Sequence, residues 1–196
     1  MNRKQYLSIF GCAVVVLAIL YVPRHAGKCH TQCGDVNVEG HVKAGAVLLE
    51  LIDEAYDTTS WHGPNLRGAL RGVKESEVDW RPAPGRHSIR ELAVHAAYSK
   101  YRVRRRLAGD TDSAFDLAGS NWFVKDSGRT WARELQILAV QHRQLRQVVS
   151  GFPEARINRP VGGSQVTAAH LIRGIAAHDL YHAGQIQMLK KMVRSR

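Results

Sequence analysis

Of the 196 residues only 3 are cysteines, at positions 12, 29 and 33, so the chain has none from residue 43 onward. That absence leaves most of the molecule to fold without disulfide staples and removes any cysteine nucleophile from it. No stretch of useful length alternates apolar and polar residues, which argues against a sheet-based fold. Acidic residues are scarce too, 17 Asp and Glu against 28 Lys and Arg, for a formal charge of +11. Such an excess invites a polyanion partner, and residues 100–106 hold five basic side chains in the run Lys-Tyr-Arg-Val-Arg-Arg-Arg. No nucleic-acid motif surrounds the run, however, and cations near the end of an amphipathic helix complement its dipole. It reads as a solvated basic face, with no nucleic-acid partner. The length fits one ordinary domain plus an extension.

One long apolar run is present. Residues 6–22 carry no charge, follow Arg3 and Lys4, and end at Pro23 and Arg24. As a helix they would extend about 26 Å, the lower limit of a bilayer span. The segment 1–24 therefore reads as a single-pass membrane anchor. No small-x-small cleavage site precedes His25, which favours retention over removal as a signal peptide. An over-extended start is the alternative, leaving a cytoplasmic protein that begins near residue 43. Residues 25–42 read as a linker, whose Cys29 and Cys33 are able to bridge if exported and are free thiols otherwise; metal ligation with His30 and His41 is an alternative.

Four apolar stripes follow. Leu48, Leu49, Leu51, Ile52, Ala55 and Tyr56 lead towards Trp61, Leu66, Leu70 and Val73, a first helix that Gly63-Pro64 kinks or restarts. Ser88-Ile89-Arg90-Glu91 is a capping box that opens a second helix, running to about Leu107. The polar stretch 108–128, with Trp122 and Phe123 as anchors, has the length of a crossover or flap. Trp131, Leu135, Leu138, His142, Leu145 and Val149 step by fours and threes along a third helix, and Thr167 caps a last one that continues to about Met192. Inward stripes on four helices predict an all-α four-helix bundle over residues 43–196.

Histidines interrupt these stripes. His178 and His182 are four residues apart, so both imidazoles point the same way, on the stripe Leu171, Ile175, His178, His182, Gln185 and Leu189. Unpaired there, each ring would cost about 1 to 3 kcal/mol, and a divalent metal accepting their lone pairs offsets that cost. His95 is the candidate third ligand, about two turns into its helix. His62 and His142 fall at similar depth on the first and third helices and are pocket candidates. Gln185, three residues after His182, can donate to a carbonyl or a water, or pack against a helix. Asp179 is turned about 100° from His178, leaving a bond to another helix open to it. Tyr181 reads as a buried structural tyrosine, with orientation of a ligand as the alternative, and His87 and His170 as surface or turn residues.

Trp61-His62-Gly63-Pro64, Trp80-Arg81-Pro82, Gly85-Arg86-His87-Ser88-Ile89, His95 and the segment His178-Asp179-Leu180-Tyr181-His182-Ala183-Gly184-Gln185-Ile186 together resemble the DinB-like superfamily, over about residues 43–192. The resemblance implies an up-down-down-up bundle with His95, His178 and His182 as ligands of a divalent metal. Three imidazoles suit Zn, Ni, Fe and Co, and open water positions admit Mn. Characterised relatives include thiol-dependent transferases that use bacillithiol or mycothiol, and hydrolases. The implied function is therefore a metal-dependent enzyme that activates a thiol or water against a small electrophilic substrate, with a low-molecular-weight thiol as a second partner and a homodimer as a common assembly. The alternative is a non-catalytic metal- or ligand-binding module at a membrane surface, which a fourth protein ligand from His62 or His142 would favour.

Overall fold

A computed structural model describes residues 43–123 and 128–196. The apolar run 6–22 and the cysteine-bearing linker lie outside the described residues; within them, no helix is long and apolar enough to cross a membrane. Five α-helices make up the described chain: α1 Ala44–Tyr56, α2 Leu66–Leu70, α3 Ile89–Ala108, α4 Trp131–Ser150 and α5 Ala168–Arg194. A single 3-10 turn, Glu154–Arg156, follows α4.

Local chemistry sets the boundaries. The capping box forms as expected, Ser88 accepting from the Glu91 amide while the Glu91 carboxylate accepts from the Ser88 amide. Gly109, at φ 69°, ends α3 in the left-handed conformation that glycine adopts without strain. Thr130 and Thr167 cap α4 and α5. The first stripe departs from the sequence reading. Rather than bending at Gly63-Pro64, the helix stops at Tyr56, and residues 57–65 form a turn in which Gly63 takes φ 108°. Asn65 closes that turn, donating to Thr58 O at 2.7 Å and capping α2 at Gly68 N.

Ion pairs and hydrogen bonds between helix ends fix the topology. Glu154, just past the end of α4, accepts from Ala44 N and Gly45 N at the start of α1, so these helices run in opposite directions. Arg90 at the start of α3 is buried against Glu134 at the start of α4, so these two run parallel and need the long connection between them. Lys190 near the end of α5 donates to Ala69 O and Arg71 O, beyond the end of α1. The order is up-down-down-up, with α1 and α3 each packed against both α4 and α5.

The core is not continuous. One apolar cluster gathers Tyr56, Leu66, Leu92, Ile137, Leu138, Ile186 and neighbours; a second gathers Leu48, Ile52, Leu145, Ile157, Ile172 and Ile175. Between them lies a buried polar layer of Lys100, Gln141, His142, Asp179 and His182. Two of these pair with one another. Lys100, read as part of a solvated face, is 1% exposed, and so is Asp179, whose Oδ2 accepts from the Lys100 ammonium. The reason is register: the inward face of α5 runs through Ile172, Ala176, Asp179, Ala183 and Ile186, so His178 sits at its edge and Asp179 at its centre.

Candidate metal centre

His95 reaches the layer from the second turn of α3, and His178 and His182 from the middle of α5. The Nε2 atoms of His95 and His178 are 3.0 Å apart, and those of His178 and His182 are 3.1 Å apart. Zinc at 2.0 to 2.1 Å from tetrahedrally placed nitrogens would hold them roughly 3.3 Å from one another, so the cluster is already close to that size. Among the described residues these three form the group of side chains able to hold a metal ion.

The remaining ring nitrogens say which atoms carry protons. His95 Nδ1 lies 3.0 Å from Asn121 O, a carbonyl that can only accept, so Nδ1 bears the hydrogen. His182 Nδ1 lies 2.6 Å from Gln185 Oε1 and donates in the same way. Both Nε2 lone pairs therefore face His178 Nε2, which has at most one hydrogen to offer. A cation satisfies all three at once, and this is the physical argument that the residues fit a metal. Burial is the largest cause holding the rings neutral: it lowers His95, pushes His178 down to about 3 with help from the nearby His182 and His95, and pushes His182 down to about 4. Neutral imidazoles bind metal without first losing a proton.

The connection between α3 and α4 reinforces the site. Trp122 stacks on His95 with ring centroids 4.1 Å apart, and His87 stacks on the far face of the system at 3.6 Å from Trp122. The preceding residue, Asn121, takes φ 61°, a left-handed conformation tolerated by asparagine, and so aims its carbonyl at His95. Beside His182 opens a cleft of about 460 Å³ whose walls include Leu92, Trp122, Met188, Leu189 and Met192.

Other sequence candidates lie elsewhere. His62 is exposed in the turn before α2, not on a helix. His142 is buried on α4, but it stacks on Tyr56 at 3.8 Å and lines a separate groove of about 1060 Å³. Neither joins the three histidines, so among the described residues helices α3 and α5 supply the cluster. Tyr181, read as buried, is 65% exposed because it falls on the outer face of α5. The residue that sequence reasoning missed is Lys100; a signal existed, since Lys100 continues the inward series Ala93, Ala96, Ala97, while the bond to another helix left open to Asp179 is the one it makes to Lys100 on α3.

The family model of the DinB superfamily matches residues 58–186, which contain all three histidines. No curated protein and no solved structure is matched by the chain.

Proposed function

The chain belongs to the DinB superfamily, and on that premise we propose that it is a metal-dependent enzyme acting on a small electrophilic substrate, with His95, His178 and His182 as the metal ligands. The observation that carries this reading is the meeting of three neutral imidazole nitrogens beside an open cleft. A divalent cation bound there would supply Lewis acidity, activating a thiol or water and polarising the electrophile.

The protein's own residues have narrower tasks. Asn121 and Gln185 hold the tautomers of His95 and His182, keeping both Nε2 atoms available. With Oε1 engaged by His182, the Gln185 amide nitrogen is left to donate towards a ligand in the cleft it lines. Trp122, Leu92, Met188 and Met192 give that cleft an apolar wall, suited to an apolar substrate body and to excluding water around it. Among the described residues three side chains make up the ligand cluster, which would leave coordination positions for incoming molecules, as catalytic rather than structural sites do.

The test is a screen of the full-length chain, loaded in turn with Zn, Ni, Fe, Co and Mn, for thiol transfer and hydrolysis of small electrophiles, beside His178→Ala. Turnover that requires metal and disappears in the variant supports the proposal. Stoichiometric metal in the wild type without turnover on any substrate would replace it with a non-catalytic binding module.

A further inference from the structure

The basic run 100–106, which the metal centre does not use, divides into three groups. Lys100 is consumed by Asp179 in the core. Arg104 and Arg105 are tied to the turn after α3, the first to Asp110 and Ser113, the second to the carbonyls of Asp110 and Thr111. Arg102 and Arg106 form no ion pair among the described residues, although both lie within reach of solvent. They are one helical turn apart on α3 and therefore share a face.

That face borders a groove of about 270 Å³ between α3 and α5. Its α5 wall carries His170, Gly174 and His178 at four-residue steps, so the groove ends at a metal ligand. The space over Gly174 is open, since a Cβ there would meet nothing within 4 Å. The Arg106 side chain is held in place: its Nη2 donates to Ser164 Oγ, and a Cβ on Gly162 would come within 3.2 Å of it. Arg102, whose guanidinium lies over the Tyr98 ring at 6.0 Å, and Arg106, neither in an ion pair among the described residues, thus line with His170 a groove that His178 also lines. The cleft on the His182 side has Trp122, Leu92, Met188 and Met192 along one wall, with Arg86 and His87 also lining it.

We propose that the groove between α3 and α5 binds the acidic group of a small carboxylate- or phosphate-bearing molecule, through Arg102 and Arg106, and points the rest of that molecule at the metal centre. Guanidinium is the side chain best matched to planar carboxylate and to phosphate oxygens. A two-substrate reaction would then bring an anionic component past His178 and its co-substrate past His182. This last step rests on the proposed function; binding of the anion does not.

The experiment titrates succinate and inorganic phosphate calorimetrically into the metal-free, full-length chain. Wild type is compared with Arg102→Gln/Arg106→Gln, with Arg102→Lys/Arg106→Lys, and with Arg133→Gln/Arg196→Gln, which removes the same charge from residues outside the groove. The groove predicts an affinity loss of roughly tenfold in the first variant, less in the lysine variant, and under about twofold in the distant one. Equal losses in the two glutamine variants, or none in either, overturn it, because the anion would then sense only net charge. The stronger of the two anions identifies the acidic group. Mercaptosuccinate is then added to metal-loaded protein. Tighter binding than succinate supports a molecule spanning groove and centre, whereas Arg-dependent succinate binding with no such gain overturns the spanning step and counts against thiol activation at the metal, while the anion site stands.

Discussion

The Trp122 indole lies nearly parallel to the His95 imidazole, at 13° and 4.1 Å between centroids, although 26 positions separate the bonded residues Asn121 and His95 in the chain. A connection outside the bundle thereby fixes both the plane and the tautomer of a ligand inside it. Removing the indole in Trp122→Ala should free the ring and loosen the Asn121 carbonyl beside it. We expect metal affinity to fall on the order of tenfold, the lower end of what loss of a supporting contact costs a metal site. Trp122→Phe keeps a stacking face and should retain most of the affinity. Competition against a chromophoric chelator measures both, and equal affinity in wild type and Trp122→Ala would refute the supporting role.

Gln185 gives an independent check on the tautomer argument. In Gln185→Leu, His182 Nδ1 loses its acceptor at 2.6 Å, and the proton is free to move to Nε2, where it blocks ligation. Affinity should drop roughly 10- to 100-fold. Gln185→Glu restores an acceptor, with a charge that makes the imidazole more basic, and should bind at least as tightly as wild type. Chelator competition on the three proteins, ranked Glu, Gln, Leu, tests the order.

Much of this arrangement could be read from the chain because its signals are local. The capping box, the Thr167 cap and the four-residue spacing of His178 and His182 each depend on a few consecutive residues and on helical geometry. The illegible parts depend on rotation or on distance. A stripe written through His178 and Gln185 differs by one position from the inward face through Asp179 and Ala183, and 100° of rotation decides whether a carboxylate is outside or central. The basic run concealed Lys100 in the same way, since the arginines that follow it are exposed or half-buried. Trp122 could be seen as an anchor, but its stacking on His95 is a contact between a loop and a distant helix that no periodicity encodes.

The Lys100 and Asp179 pair carries its own prediction. Both side chains are 1% exposed, and the ammonium also sits 5.0 Å from the centroid of the Tyr56 ring. Burial pushes the Asp179 carboxyl up to about 6 against the opposing pull of Lys100, so neither partner is comfortable in the core alone. Lys100→Met or Asp179→Leu strands one polar group and should cost about 3 to 5 kcal/mol. The double variant replaces both with apolar side chains and should lose far less than the sum of the two. Urea unfolding of all four proteins closes the cycle; additive losses would mean that the two residues are not energetically paired.

His142 should leave a signature in the acid stability of the fold. Its folded pKa is pushed down to about 3, first by burial and then by the positive charges of Lys100, Arg146 and Arg143. Asp53 faces it at 3.8 Å but is already engaged by Arg146 at 2.8 Å, so it does little to stabilise a protonated ring. Tyr56 covers the other face with an uncharged ring. The unfolded chain takes up its proton near pH 6.5 and the folded chain only near 3, so unfolding between these values consumes a proton. The associated stability is complete above pH 6.5 and is lost progressively as pH falls towards 3, by up to about 1.4 kcal/mol per pH unit for one group. His178 and His182 act in the same direction, so the comparison must isolate one ring. In metal-free protein, the difference in unfolding free energy between wild type and His142→Phe should be constant above pH 7 and move steadily against wild type below pH 6. A difference independent of pH across that window would show that the ring is protonated, or solvated, in the folded state.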